Sequence, residues 1–203
     1  MLKKVIMTLG LSLAISASAF AAVTEKVEQG DRYKLSYPVF KLESRSAARA
    51  INKDIKAMVK GVKKLTKSEE PKYVEVGTNY KIVQDTDSYV NLSFVTWDYM
   101  GGAHGMHFDH GIVYDKATGE RLPYTHFTDA VEAEQLKQGI ADGTFKVFCA
   151  DLQTASEAPF LKYIKDFQVS ENYIIGDDGH VYLMYQPYEL DSYAAGVTYV
   201  QLP

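Results

Sequence analysis

The sequence predicts an α+β fold in which antiparallel sheets carry one long helix and one or two shorter ones packed on them. Three observations predict it. One long segment repeats its apolar residues every three or four positions. Most other apolar segments alternate every second position. The resulting order of strand, helix, three strands, helix and three strands lacks the regular alternation of a doubly wound sheet.

Residues 31–40 alternate as a strand, with Pro38 expected at a sheet edge or turn because it cannot donate to a ladder. From residue 44 to 67 the period changes: Ala47, Ala48, Ile51, Ile55, Met58, Val59, Val62 and Leu65 form one apolar helix face. Ser44 or Ser46 can cap its start, and Pro71 forbids its continuation. The opposite face carries Arg45, Arg49, Lys53, Lys56, Lys60, Lys63, Lys64 and Lys67, which reads either as a solvated helix back or as a docking surface for an acidic polymer. Residues 73–84 and 88–99 read as strands paired antiparallel across Asp85-Thr86-Asp87, with Val90, Leu92 and Phe94 on one face and Tyr89, Asn91, Ser93 and Val95 on the other. A strand at 111–115 turns at residues 116–119. Asp129 with Glu132 resembles a capping box, and Ala133, Leu136, Ile140, Val147 and Phe148 outline a helix weakened by Gly139 and Gly143. Strands at 167–175 and 180–186 flank Gly176-Asp177-Asp178-Gly179, residue types that tolerate positive φ, and a last strand spans 197–202. Turn residues at 119–128 divide the chain into modules 22–120 and 121–203, expected to share one core.

Over 203 residues, 46% hydrophobic and 24% charged composition excludes a disordered tail, a collagen-like rod and a multi-span membrane protein. The 15 Tyr and 9 Phe supply a core without covalent staples, as they must, because the single Cys149 can form no internal disulfide. Its neighbours Val147 and Phe148 point to a buried thiol. Lys3 and Lys4, the apolar run 5–15 and the small residues Ala17-Ser18-Ala19 or Ala19-Phe20-Ala21 read as a signal peptide over residues 1–21. The run is short of the ~20 residues that span a bilayer, so no membrane attachment is expected after cleavage. Its removal takes Lys3 and Lys4 but no acid, shifting the net charge from −4 to −6. That balance argues against nucleic acid as a partner and mildly favours basic ones.

Two clusters could hold chemistry. In Tyr99-Met100-Gly101-Gly102-Ala103-His104-Gly105-Met106-His107-Phe108-Asp109-His110, the Gly101-Gly102 pair suggests a turn or bulge that needs glycine at both positions. On a strand His104 and His110 would share a face and His107 would not. The spacing matches no zinc signature, so structural histidines are expected and no metal or cofactor. The second cluster, residues 185–196, sets Glu189 and Asp191 among Tyr185, Tyr188 and Tyr193. Carboxylates beside aromatic faces suit sugars, either as acid and base or as a stacking surface. No phosphate loop, nucleophile elbow or Ser-His-Asp pattern is present.

Tyr99-x-Gly101-Gly102-Ala103-His104-Gly105, Tyr114-Asp115-x-x-Thr118-Gly119, Pro187-Tyr188-Glu189-x-x-x-Tyr193-Ala194-x-Gly196, and Tyr37-Pro38 followed by Ile51-Asn52-Lys53 together resemble an exported domain family. It is the family of RsiV-type anti-sigma factor ectodomains, with a related N-terminal module in PdaC-type peptidoglycan deacetylases. The resemblance covers roughly residues 30–203 and implies an α+β fold with a binding role outside the cytoplasm. It further implies lysozyme sensing in the anti-sigma members and cell-wall association in the deacetylase members. This sequence shows no sigma-binding segment, retained membrane helix or deacetylase domain, so only the binding module is expected.

The expected function is therefore a periplasmic or secreted, non-catalytic module. Its partner would be a cell-wall glycan or a protein acting on one, such as lysozyme, contacted through Tyr99, Gly101, Gly102, His104, Tyr188, Glu189 and Tyr193. The alternative is a wall-glycan hydrolase or deacetylase-like enzyme using Glu189 and His104. The intact mass of protein recovered from the envelope is expected to lack residues 1–21; a full-length species in the inner membrane contradicts the signal-peptide reading.

Overall fold

A computed structural model describes residues 21–150 and 152–203. Apart from Ala21, the segment expected to be a signal peptide lies outside the described residues. The chain opens with a hairpin of β1 (Ala22–Gly30) and β2 (Tyr33–Lys41). The sequence reading has one strand here. β1 escapes it because its alternation sets only Val23 and Val27 against polar residues, as befits an edge strand. Pro38 lies inside β2, opposite Glu25, but β2 pairs with its other neighbour only over Tyr33–Leu35, so the missing N–H leaves no ladder incomplete.

Helix α1 (Arg45–Leu65) starts where Ser44 Oγ accepts from the Ala47 amide at 3.3 Å. Its buried stripe of Ala47, Ala48, Ile51, Ile55, Val59 and Val62 covers one face of the first sheet, against Leu35, Phe40, Phe94 and Ile112. Because the helix crosses over between them, β2 and β3 (Glu75–Asp85) run parallel, the one departure from antiparallel pairing. The helix is also tied at its far end. Arg32 donates to the carbonyls of Thr66 and Tyr73, and Lys63 Nζ lies 2.8 Å from Glu28 Oε2 on β1. That ammonium holds the Glu28 carboxyl well below its usual range, at about 2, against the opposing effect of burial and with help from the Tyr37 hydroxyl.

β4 (Tyr89–Tyr99), β5 (Met106–Asp115) and β6 (Arg121–Leu122) complete a six-stranded sheet in the order β1-β2-β3-β4-β5-β6. β5 starts five residues before the expected strand, taking in residues 106–110 from the glycine- and histidine-rich cluster. In the second half, α2 (Ala133–Asp142) ends at Gly143 in the left-handed region at φ 81°. Val147 and Phe148 belong to β7 (Val147–Cys149), not to the helix. Nor is Asp129 a cap, since Glu132 holds that position without a side-chain bond. β8 (Ala155–Ser156), β9 (Tyr173–Ile175), β10 (Val181–Tyr185) and β11 (Thr198–Gln201) give an antiparallel sheet ordered β8-β7-β11-β10-β9. β9 covers only the end of the expected strand at 167–175. The Gly176–Gly179 turn closes as expected, the Gly176 amide donating to His180 O and Gly179 at φ 82°.

The first sheet is covered on both faces. Val90, Leu92, Phe94, Ile112 and Tyr114 face α1, whereas Asn91, Gly111 and Val113, on the alternate parity, face the second half. Val113 enters the core that Leu136, Leu183, Val200 and Leu202 form, and the fully buried Asn91 donates to Ile175 O at 2.7 Å. A Cβ on Gly111 would lie 2.1 Å from Tyr173 O. The two sheets meet backbone to backbone there, which only glycine permits. Gly111→Val is therefore expected to lower the unfolding free energy by about 1–3 kcal/mol, read as a shift in denaturant midpoint. An unchanged midpoint would show that the sheets can separate at this point without loss.

Candidate functional site

The β4–β5 loop (residues 100–105) and the β10–β11 loop (residues 186–197), 80 and more residues apart in sequence, meet over the outer end of β5. One contact fixes the second loop to β5 and another joins the two loops. The Gln186 side-chain amide acts as a one-residue strand, accepting from the Asp109 amide at 2.9 Å and donating to Asp109 O at 2.8 Å. It fits because β6 pairs with β5 only at Val113 and Tyr114, leaving the strand edge open at Asp109. Above it the Tyr193 hydroxyl donates to Gly105 O at 2.7 Å.

These contacts assemble a cluster of rings. His104 stacks on Tyr193 with centroids 4.0 Å apart and planes 21° apart. His107 meets the same ring edge-on at 5.8 Å, and Tyr188 lies tilted against it, also at 5.8 Å. Tyr188 is half exposed and held at φ 74°, a strained conformation for a non-glycine residue. Its amide donates to Asp191 O, and the Glu189 carboxylate accepts from the Gln186 amide at 2.6 Å. Glu189 thus closes its own turn. Asp191 accepts from the Ser192 amide, and Cys149, partly exposed and not fully buried, donates to Ser156 Oγ at 2.9 Å.

All seven expected site residues lie in these two loops or at their roots, but two readings within them change. Gly101 has positive φ at 91°, whereas a Cβ on Gly102 would meet nothing within 4 Å, so Gly102 is not required as glycine. Gly105 is the constrained one, since its Cβ would lie 2.5 Å from Asp98 O. Tyr99 donates to Gly102 O and braces the loop. The second change concerns the histidines. His104 precedes the strand, so strand parity does not govern it, and it joins His107 rather than His110. His110 points to the other face beside Thr96 Oγ1 at 3.3 Å, its pKa lowered by burial and by Arg121. Among the described residues no three His, Cys, Asp or Glu side chains converge as a metal set. A cleft of about 1050 Å³ lies elsewhere, between α2 and the β7–β8 edge, with Ile140, Phe145, Phe148 and Leu161 in its wall.

Residues 24–107 match the family described as Deacetylase PdaC, and residues 127–203 match the family described as Protein of unknown function (DUF3298). The chain thus joins a segment similar to the PdaC family to one similar to the DUF3298 family. Of its curated relatives, the peptidoglycan-N-acetylmuramic acid deacetylase PdaC of Bacillus subtilis (strain 168) is 28% identical over 156 residues, which are 70% of this chain and 32% of that protein. The chain therefore spans about a third of that relative's length. Two solved structures share the fold, each with a TM-score of 0.56. A DUF3298 family protein from Pseudomonas aeruginosa PAO1 is 17% identical over 90% of this chain and 88% of that one. A member of the same family from Bacteroides fragilis NCTC 9343 is 12% identical over 98% of this chain and 89% of that one.

The ring cluster straddles the two matches: His104 and His107 come from the first, Tyr188 and Tyr193 from the second. Beneath it lie residues that sequence reasoning left unassigned, Asp109, Gln186 and Tyr199. Asp109 Oδ1 is buried without a hydrogen-bond partner, and burial pushes its pKa up against the opposing pull of His107. The Tyr199 phenol is pushed up to about 12, mainly by burial and then by Asp109. A carboxyl whose folded pKa is raised binds its proton more tightly folded than unfolded, so its contribution falls as pH rises from the unfolded to the folded pKa. Asp109→Asn is expected to stabilise the protein more at pH 7 than at pH 3 relative to the parent. An equal effect at both values would mean that the carboxylate meets no desolvation penalty.

Proposed function

We propose that this protein is an exported, cell-wall-related binding module and that the ring cluster at the junction of its two halves contacts glycan. The stacked His104–Tyr193 pair with the half-exposed Tyr188 beside it carries the reading. Flat rings held by Tyr193–Gly105 and Gln186–Asp109 bonds offer apolar faces at small ordering cost, the property that pyranose rings exploit. The backbone strain at Tyr188 supports a functional reason for holding that ring out. The name of the B. subtilis relative, a peptidoglycan-N-acetylmuramic acid deacetylase, supports wall glycan as the ligand class. Among the described residues no helix is long and apolar enough to cross a membrane. The hydrolytic alternative loses support because Glu189 caps the Gln186 amide.

Titration of the mature chain with soluble peptidoglycan fragments is expected to show binding without product. Tyr188→Ala should cost about 2 kcal/mol, roughly thirtyfold in Kd. Product formation abolished by Glu189→Gln would replace this reading with the enzymatic one. Binding of lysozyme but not of fragments would move the partner from glycan to a protein acting on it.

A further inference from the structure

We propose that the outer face of α1 is a docking surface for a linear, phosphate-bearing polyanion, separate from the ring cluster. The helix contains seven cations and one acid, Asp54, in a chain whose mature balance is acidic. At 100° per residue, Arg45, Arg49, Lys53, Lys56, Lys60, Lys63 and Lys64 fall within about 100° of the helix circumference. They form a stripe about 28 Å long, with successive positions about 4.5–6 Å apart along the axis except the adjacent Lys63 and Lys64, about 1.5 Å apart. Arg45, Arg49, Lys53, Lys56, Lys60 and Lys64 are exposed, and among the described residues none of the six has an ion-pair partner. Lys63 is held by Glu28, and Asp54 sits off the stripe, accepting from Tyr114 and Arg121. Glu43 before the helix and Glu69 and Glu70 after it bound the stripe.

A helix back that only met solvent would be better served by mixed signs. Here like charges recur at i+3 and i+4 from Arg45 to Lys64, an arrangement that weakens a helix. Arg45 and Arg49 also open the helix with no acid in its first turn, at the end where the backbone dipole favours anions. Both effects oppose folding and both reverse when an anionic chain lies along the stripe. A lipid surface fits less well. The exposed face offers no aromatic or large apolar residue to enter the headgroup layer, only Ala50, Ala57 and Gly61 at its side, and the apolar face is buried in the core.

The test uses the mature chain, long-chain sodium polyphosphate, and vesicles of phosphatidylglycerol with phosphatidylcholine. Polyphosphate is expected to bind at 50 mM NaCl and to weaken about tenfold or more by 200 mM, as counterion release requires. The triple variant Lys53→Gln, Lys56→Gln, Lys60→Gln should bind about tenfold or more weakly, with a denaturant midpoint equal to or above the parent's. The Lys→Arg triple should retain binding. Lys81→Gln with Lys146→Gln and Lys165→Gln, the same change of charge off the helix, should leave it nearly unaltered. Equal loss in that control, vesicle binding without polyphosphate binding, or no binding at 50 mM would each overturn the proposal. Tyr188→Ala leaves polyphosphate binding intact, so failure of the glycan reading and failure of this one are separable.

Discussion

The close approach of β9 to β5 is the constraint on which the rest of the structure depends. At Gly111 the backbone of the first sheet lies against the Tyr173 carbonyl, and two positions along the neighbouring pairing Asn91 reaches Ile175 O. A side chain at 111 would hold the sheets apart, and the buried amide of Asn91 would then lose its partner. With the sheets seated here, β10 and β11 point their connecting loop over the free end of β5. Without that seating, Gln186 could not reach Asp109 nor Tyr193 reach Gly105. The geometry of the ring cluster is thus set some distance away, in a place with no exposed surface.

The cluster is held by few contacts, but each is of a kind that fixes direction. A bidentate amide pairing and a phenol-to-carbonyl bond contribute about 1 kcal/mol apiece, and their alignment matters more than their sum. They place an imidazole over a phenol ring and leave a second phenol beside it in an unfavourable backbone region. The desolvated Asp109 beneath is a further cost at neutral pH, borne where the two halves join. Local expense is thus concentrated at one junction, with a packed core on either side.

Charge is arranged in the same uneven way. Seven basic residues of the first half lie on α1 beside a single acid, Asp54, and two ion pairs fasten that helix to other elements. Lys63 with Glu28 ties α1 to β1, and Arg121 and Tyr114 with Asp54 tie it to β5 and β6. The cations without such a role line up on the side facing away from the core.

Several features were determined by the sequence alone. The long helix was legible because its period, its Ser44 cap and its halt before Pro71 are local properties of neighbouring residues. The same holds for the Gly176–Gly179 turn and for the two faces of β4. Edge and irregular segments were not legible. β1 has one weakly apolar face, Val147 and Phe148 continue a helical spacing into a strand, and His104 stands just outside the strand whose parity would have sorted it. Only the tertiary structure decided which glycines are obligatory: Gly105 and Gly111 are constrained by backbone from other strands, while Gly102 faces open space. It also decided that the two motif loops form one ring cluster. The bonds that make it so, Gln186 to Asp109 and Tyr193 to Gly105, span 77 and 88 residues, a separation over which no sequence period carries information and only the packing of two sheets selects the partner.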